Sequence, residues 1–146
     1  MTITFFVPGI PAPGGSKRSF RHRHSGKIIT REDCKRNPGW RSVVAASAMQ
    51  AYSGPPLTGP LSLQVSFHMP RPKGHFGSGK NAGNLNKSAP GHHTQKPDAT
   101  KLLRALEDAL TGIIWRDDSQ ICTQLVGKVW TTGTPGATVI ISEVGT

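Results

Sequence analysis

Alternating apolar and polar residues predict most of the strands in this chain. The pattern is clearest at residues 61–69, where Leu61, Leu63, Val65 and Phe67 share one face and polar side chains the other. Such a period of two is expected of a strand with one buried face. Runs of β-branched, aromatic and apolar residues predict further strands at residues 2–7, 113–115, 122–130 and 137–144. Two alternating runs around His24-Ser25-Gly26 predict a hairpin.

Apolar residues at three- and four-residue spacing predict two helices. The first covers residues 38–52, its apolar positions including Trp40, Val44 and Ala48, and Gly54-Pro55-Pro56 ends it. The second begins at Pro97, where a missing N–H costs nothing, and ends at Thr111-Gly112. Its apolar stripe consists of Leu102, Leu103, Leu106, Ala109 and Leu110. Two helices among several strands predict an α/β (α+β) fold with two layers and a mixed sheet.

The length of 146 residues predicts a single domain over residues 1–146. Within it, residues 70–96 are rich in Gly, Asn, Pro and Ser and predict a long, basic, flexible loop that orders on nucleic acid. Residues 74–80 match the start of a P-loop, but Asn81 follows where Ser or Thr should stand, so a P-loop is rejected. The neighbouring His92-His93 is interpreted as a pair on a surface loop rather than as metal ligands.

Charge is divided unevenly along the chain. The net charge is +10 and the pI about 10.3, an imbalance that favours a nucleic-acid partner, although solubility alone is an alternative. Five of the eight acidic residues lie within residues 96–121, and that segment alone has a net charge of −1. An acidic segment in a basic chain indicates a cation site beside a surface that binds polyanions.

Basic side chains are concentrated in two segments. The hairpin and the long loop supply the candidate DNA-binding residues Lys17, Arg18, Arg21, Arg23, Arg71, Lys73, Lys80 and Lys87. Side chains on one face of a hairpin suit a phosphate backbone. A solvated hairpin surface remains the alternative.

The two cysteines, Cys34 and Cys122, are far apart and form no CxxC motif, which argues against a structural zinc site and a disulfide framework. The sequence shows no export signal and no apolar run long enough to span a membrane. We therefore expect a cytoplasmic protein with no membrane partner.

The acidic segment predicts a metal site. Asp98 lies at the start of the second helix, and Asp117-Asp118 ends the predicted strand that follows it. If helix and strand run back along each other, these carboxylates meet and could hold Mg²⁺. The alternatives are ordinary: a first-turn acid favours the helix dipole, Asp117-Asp118 could form a turn, Asp108 could pair with Arg104, and Glu107 could be solvated.

The segment KPD…KLLRALEDALTGIIWRDDSQI resembles the signature of the RusA family of Holliday junction resolvases, which are phage-associated endonucleases. The family pattern has an opening D-x-D-N-L, a Lys one turn later, D-A-L-x-G and a closing D-D-x-Q. The start GIPAPGGSKR also resembles the family's Gly-Pro-basic opening. Two departures are Thr100 and Lys101, which stand in place of Asp and Asn, and a third is Arg104 in place of the catalytic Lys.

The resemblance implies a RusA-like homodimer that binds a four-way DNA junction and nicks two opposed strands with Mg²⁺, or with Mn²⁺ as an alternative. By position it implies Asp98, Asp117 and Asp118 as metal ligands, and Arg104, Thr100 and Lys101 as further catalytic residues. A DNA-binding relative weakened at Thr100, and a nuclease for other branched DNA, remain alternatives. Arg can stabilise a pentacoordinate phosphate as Lys does, with a different reach.

Overall fold

The computed structural model describes residues 1–14, 17–21, 23–32 and 35–145. Its strands are β1 (Thr2–Pro8), β2 (Lys17–Arg21), β3 (Ile28–Glu32), β4 (Leu61–Pro70), β5 (Ile121–Thr131) and β6 (Gly136–Glu143). Its α-helices are α1 (Asn37–Ala51) and α2 (Ala99–Leu110). These bounds confirm both predicted helices, the hairpin and four of the predicted strands.

One mixed sheet forms the first layer, in the order β1-β6-β4-β5. β6 pairs antiparallel with β1 and β4, whereas β4 and β5 run parallel. The register aligns Phe5, Val139 and Val65 in one row across the sheet, and all three side chains are buried. The alternation seen in the sequence therefore forms one apolar sheet face, because successive residues of a strand point to opposite sides.

The two helices form the second layer. α1 contacts β1 and α2, and α2 also contacts β5. Trp40, Val44 and Ala48 of α1 are buried, as are Leu102, Leu103, Ala105, Leu106 and Leu110 of α2. A strongly one-sided helix such as α2 stabilises the domain mainly through this buried face. The α+β prediction with a mixed sheet is confirmed.

The predicted strand at residues 113–115 is wrong. These residues form a turn, in which Ile114 and Trp115 are fully buried and Trp115 makes isolated bridges to Leu57 and Thr111. Gly112 has a φ of 89°, a backbone conformation that glycine adopts readily and that often ends a helix. The chain therefore reverses directly after α2, and its apolar residues enter the core without pairing along the sheet.

Residues 71–98 contain no α-helix or strand, but they include two short 3₁₀ turns, Lys73–His75 and Gly79–Asn81. The Asn86 amide donates to the carbonyls of Gly74 and Phe76 and holds this segment together. The interpretation of His92-His93 as a surface pair is wrong for His93, which is 6% exposed. His92 is exposed as predicted. No helix in the described part of the chain is long and apolar enough to cross a membrane.

Candidate active site

A pocket of about 320 Å³ lies along the outer side of α2, and we call it the acidic pocket. Its lining residues are Thr100, Leu103, Arg104, Glu107, Asp108, Asp118 and Gln124. Positions 100, 104, 107 and 108 share one helix face because they are separated by three or four residues. Asp118 comes from the turn before β5, and Gln124 comes from β5 itself. Tertiary structure thus places Asp118 and Gln124 beside the pocket residues that α2 supplies.

The Asp118 carboxylate is held by two neighbours. Its Oδ1 accepts a hydrogen bond from Trp115 Nε1 at 2.9 Å and another from the Thr111 hydroxyl. Trp115 is fully buried and therefore fixes Asp118 against the core. Packing and hydrogen bonds of this kind restrict a side chain to one rotamer, which is what a positioned functional group needs.

Glu107 is half-buried in the acidic pocket, and the prediction that it is solvated is wrong. Burial, together with the negative charges of Asp118 and Asp108, raises its pKa from 4.5 to about 7. A hydrogen bond from Gln124 Nε2, 2.7 Å long, and the nearby Arg104 oppose this rise. Clustered carboxylates raise one another's pKa in this way where no cation lies between them. The charge arrangement of the pocket is therefore one that a cation would stabilise.

Asp98 and Asp118 do not meet as predicted. Asp98 is the N-cap of α2, whereas Asp118 bonds to Thr111, the C-cap of the same helix. A helix of 12 residues rises about 18 Å between its ends. The expectation required a strand running back along α2, and the turn at residues 113–115 replaces that strand.

Asp98, Lys101 and Asp117 are exposed and lie outside the lining of the acidic pocket. Asp98 accepts no side-chain capping bond. Asp117 instead caps the 3₁₀ turn Asp118–Gln120: its Oδ1 accepts from the Ser119 N–H at 2.8 Å, and this bond lowers its pKa. Of the three predicted metal ligands, Asp118 alone therefore lines the acidic pocket.

Arg104 and Asp108 both line the acidic pocket, but no ion pair joins them within the described residues. The guanidinium is exposed and is therefore accessible to an anion. Gln120, four residues beyond Arg116, has a structural role: it accepts from the backbone N–H groups of Arg116 and Asp117 and donates to the carbonyls of Leu57 and Gly59. It fastens the turn that carries Asp118.

The predicted DNA-binding residues differ in their surroundings. Arg21, Arg23, Lys73, Lys80 and Lys87 are exposed, as binding to a phosphate backbone requires. Arg71 is engaged within the protein, since its Nη1 donates to the Pro90 carbonyl at 2.8 Å and its guanidinium lies 5.4 Å from the Trp130 ring centre. The side chains of Lys17 and Arg18, together with Cys34, lie outside the described part of the structure.

Sequence reasoning missed Thr111, Trp115 and Gln124, which surround Asp118 and Glu107. Glu107 itself lies seven residues after Thr100 and three after Arg104, a spacing that places all three on one helix face. That spacing could have identified Glu107 as a candidate residue of the site. Gln124 carried no such signal, because β5 brings it to the pocket through a tertiary contact. The bond from Trp115 to Asp118 depends on the turn at residues 113–115, where a strand had been predicted.

The sequence of this chain matches a known protein family over most of its length. The family model described as Endodeoxyribonuclease RusA matches residues 8–142. A protein of Bacillus subtilis (strain 168), named Uncharacterized protein YqaN, is 33% identical over 143 residues, which cover 97% of this chain and 96% of that protein.

Proposed function

Because the chain belongs to the endodeoxyribonuclease RusA family, we propose that it resolves Holliday junctions by Mg²⁺-dependent hydrolysis of phosphodiester bonds. Family membership itself indicates an endodeoxyribonuclease. The observation that carries the finer proposal is the acidic pocket, where Arg104 lies beside Glu107, Asp108 and Asp118. A cation site next to a free guanidinium is the combination that phosphodiester hydrolysis requires. The reaction would serve DNA recombination and repair.

The residues of the acidic pocket fit Mg²⁺ if a phosphate of the DNA also binds the ion. Among the described residues, no three His, Cys, Asp or Glu side chains converge closely enough to hold a metal ion by themselves. Magnesium, however, is commonly bound by one or two carboxylates together with substrate phosphates and waters. Asp118 and Glu107 would be the protein ligands, and the DNA phosphate would complete the site. When bound, Mg²⁺, or Mn²⁺ in its place, supplies Lewis-acid activation of the phosphoryl group and of water.

The remaining side chains have roles that follow from their positions. Arg104 is placed to offset negative charge on the phosphoryl oxygens as the transition state develops. Thr100 lines the same pocket one helical turn earlier, where its hydroxyl can donate to a phosphate oxygen or to water. Lys101 and Asp98 lie near this end of the pocket and are exposed. We propose that Lys101 approaches the DNA backbone and that Asp98 and Asp117 act only in the DNA complex.

A homodimer accounts for symmetric nicks, since two equal sites related by a two-fold axis match the symmetry of a four-way junction. The exposed cations of the hairpin and of residues 71–98, among them Arg21, Arg23, Lys73, Lys80 and Lys87, would contact phosphates rather than bases. The junction would then be selected by shape and charge.

A second candidate is a DNA-binding relative with weakened catalysis. Thr100 supports it: this residue lines the acidic pocket where the family pattern has an aspartate, and the described residues form no three-ligand metal cluster. If this candidate is correct, Thr100→Asp restores Mg²⁺-dependent nicking to a chain that otherwise only binds. A third candidate, a nuclease acting on other branched DNA, shares every structural feature above.

A nicking assay on synthetic four-way junctions tests the proposal. With Mg²⁺, the wild type should nick two opposed strands, and Asp118→Asn should lose on the order of 100-fold in rate. Asn keeps an oxygen that can accept the hydrogen bond from Trp115 Nε1, so the Asp118→Asn variant should fold normally. Glu143→Gln, an exposed change at the end of β6, is the charge-matched control.

The same assay separates the candidates. Junction binding without Mg²⁺-dependent nicking would contradict the enzyme, and equal cleavage of linear duplex or of flaps would contradict junction selectivity. Asp98→Asn and Asp117→Asn measure whether these exposed carboxylates contribute, because neither side chain lines the acidic pocket and Asn keeps an oxygen with which position 117 can cap the turn.

A further inference from the structure

A second cavity, of about 360 Å³, lies at the N-terminal end of α2, and we call it the Trp130 cavity. Its walls include Ile10, Pro13, Met69, Pro70, His93 and Trp130. Two exposed cations, Arg36 and Lys96, also line it. Lys96 and Pro97 immediately precede Asp98, the N-cap of α2, and Thr100 lines the acidic pocket. Both cavities therefore adjoin the start of α2.

Two buried polar atoms of the Trp130 cavity lack a hydrogen-bond partner. They are Nδ1 of His93, a residue only 6% exposed, and Nε1 of Trp130. The two rings contact each other, with centroids 4.4 Å apart, and His75 packs edge-on against the same indole at 4.9 Å. Buried donors and acceptors are nearly always satisfied in folded proteins, so an unpaired set in a cavity wall indicates a ligand.

The chemistry of these groups favours an uncharged, flat ligand. Burial and the charge of Lys128 hold the pKa of His93 below its usual value, so its imidazole is neutral at pH 7 and offers one donor and one acceptor. The indole N–H adds a second donor. The polar edge of a nucleobase has such alternating donors and acceptors, whereas a phosphate would need cations where these neutral rings lie.

We propose that the Trp130 cavity receives one unstacked nucleobase of the bound DNA, with Trp130 and His93 facing its polar edge and Arg36 and Lys96 contacting the adjoining phosphate. The proposal rests on the proposed function, because it needs DNA as the partner. Removing a base from the stack costs least where pairing is already interrupted, as at a branch point. The cavity would thus add recognition of a base to the recognition of shape and charge.

Tryptophan indole resonances test this directly, because the chain has three tryptophans in three different surroundings. Trp130 lines the cavity, Trp115 bonds to Asp118, and Trp40 has a buried, unpaired Nε1 outside the cavity lining. In ¹⁵N-labelled protein with EDTA, a saturating four-way junction should shift the Trp130 indole signal and leave Trp40 in place. An unmoved Trp130 signal on the saturated protein would overturn the proposal.

Junctions that each lack a single base near the branch point provide the second measurement. Loss of the captured base should weaken binding to the wild type by about tenfold at one position. Trp130→Phe and His93→Phe keep a ring but remove the polar atoms, and they should lose that discrimination. Trp40→Phe is the matched control and should retain it. Discrimination that persists in Trp130→Phe, or that appears at no position, would contradict the proposal.

These results are distinguishable from a failure of the proposed function. If the wild type nicks junctions and Mg²⁺ shifts the Trp115 signal while Trp130 stays silent, only the nucleobase proposal fails. If no junction is nicked but one base position still controls binding through Trp130, the enzyme proposal fails and the nucleobase proposal holds. Thermal unfolding of each variant confirms that it is folded.

Discussion

At the scale of single residues, the acidic pocket concentrates negative charge where the fold provides little to neutralise it. Burial and the negative charges of Asp118 and Asp108 oppose the ionisation of Glu107. Arg104 and the hydrogen bond from the Gln124 amide favour ionisation, but they offset this opposition only in part. An ionised Glu107 therefore costs the metal-free protein stability, as strained or repulsive groups at functional sites commonly do. The cost is useful if a cation relieves it, because binding that cation then also stabilises the folded state.

Replacing Glu107 with Gln should stabilise the metal-free protein at high pH. The folded-state pKa of about 7 lies above the ordinary value of 4.5, so the folded protein binds more protons than the unfolded chain, and stability falls as pH rises through this window. In EDTA at pH 8, we expect Glu107→Gln to gain about 1 kcal/mol, allowing for solvent screening of a half-buried group. Urea unfolding at pH 8 and pH 4 measures the difference.

The gain in stability should largely vanish at pH 4, where the Glu107 carboxyl is mostly protonated in both the folded and the unfolded protein. Asp108→Asn, at the adjacent and exposed position, is the control and should show a smaller gain. An equal advantage of Glu107→Gln at both pH values would mean that packing, and not ionisation, is responsible.

At the scale of elements, the prediction succeeded where a single period fixed the structure. β4 and α2 each bury one face, and their apolar residues repeat at two and at three to four positions, so the sequence alone identifies them. Residues 113–115 are apolar as well, but too short for a period to be read, and they became a buried turn. This error affected the predicted metal site most, because the separation of Asp98 from Asp118 depends on that turn. The burial of His93 under Trp130 likewise depends on contacts between distant segments.

Lys128 of β5 fixes the entry to α2, and we expect Lys128→Met to destabilise the protein. Its Nζ donates to the carbonyls of Gln95 and Pro97, both at 2.9 Å, and hydrogen bonds from charged groups are worth about 1.5–3 kcal/mol in net stability. A loss of about 2 kcal/mol is expected, since Met keeps the apolar stem. Thermal or urea unfolding of both proteins gives the value.

Lys101→Met is the matched control, because this exposed lysine of α2 makes no side-chain hydrogen bond or ion pair with the described residues. It should change stability by less than about 0.5 kcal/mol. If Lys128→Met were equally harmless, the two carbonyls would be satisfied without the ammonium group, and β5 would not brace this segment.

At the scale of the whole molecule, negative and positive side chains occupy different regions of the surface. Carboxylates of the acidic pocket line the outer side of α2, while exposed cations occupy the hairpin and residues 71–98. With a net charge of +10, the protein as a whole attracts DNA at long range, and the acidic pocket is a local exception that suits a cation. Composition predicted this division, but only the fold shows that Arg71 is engaged by Pro90 and Trp130.

The salt dependence of junction binding tests which cations contact DNA. Each phosphate contact contributes about −0.9 to the slope of log K against log salt concentration on duplex arms. Lys80→Gln and Lys87→Gln, in the exposed part of residues 71–98, should each reduce the slope by about 1. Arg41→Gln on α1 removes the same charge outside both basic segments and should leave the slope unchanged. An equal reduction from Arg41→Gln would mean that net charge, and not contact by these lysines, sets the affinity.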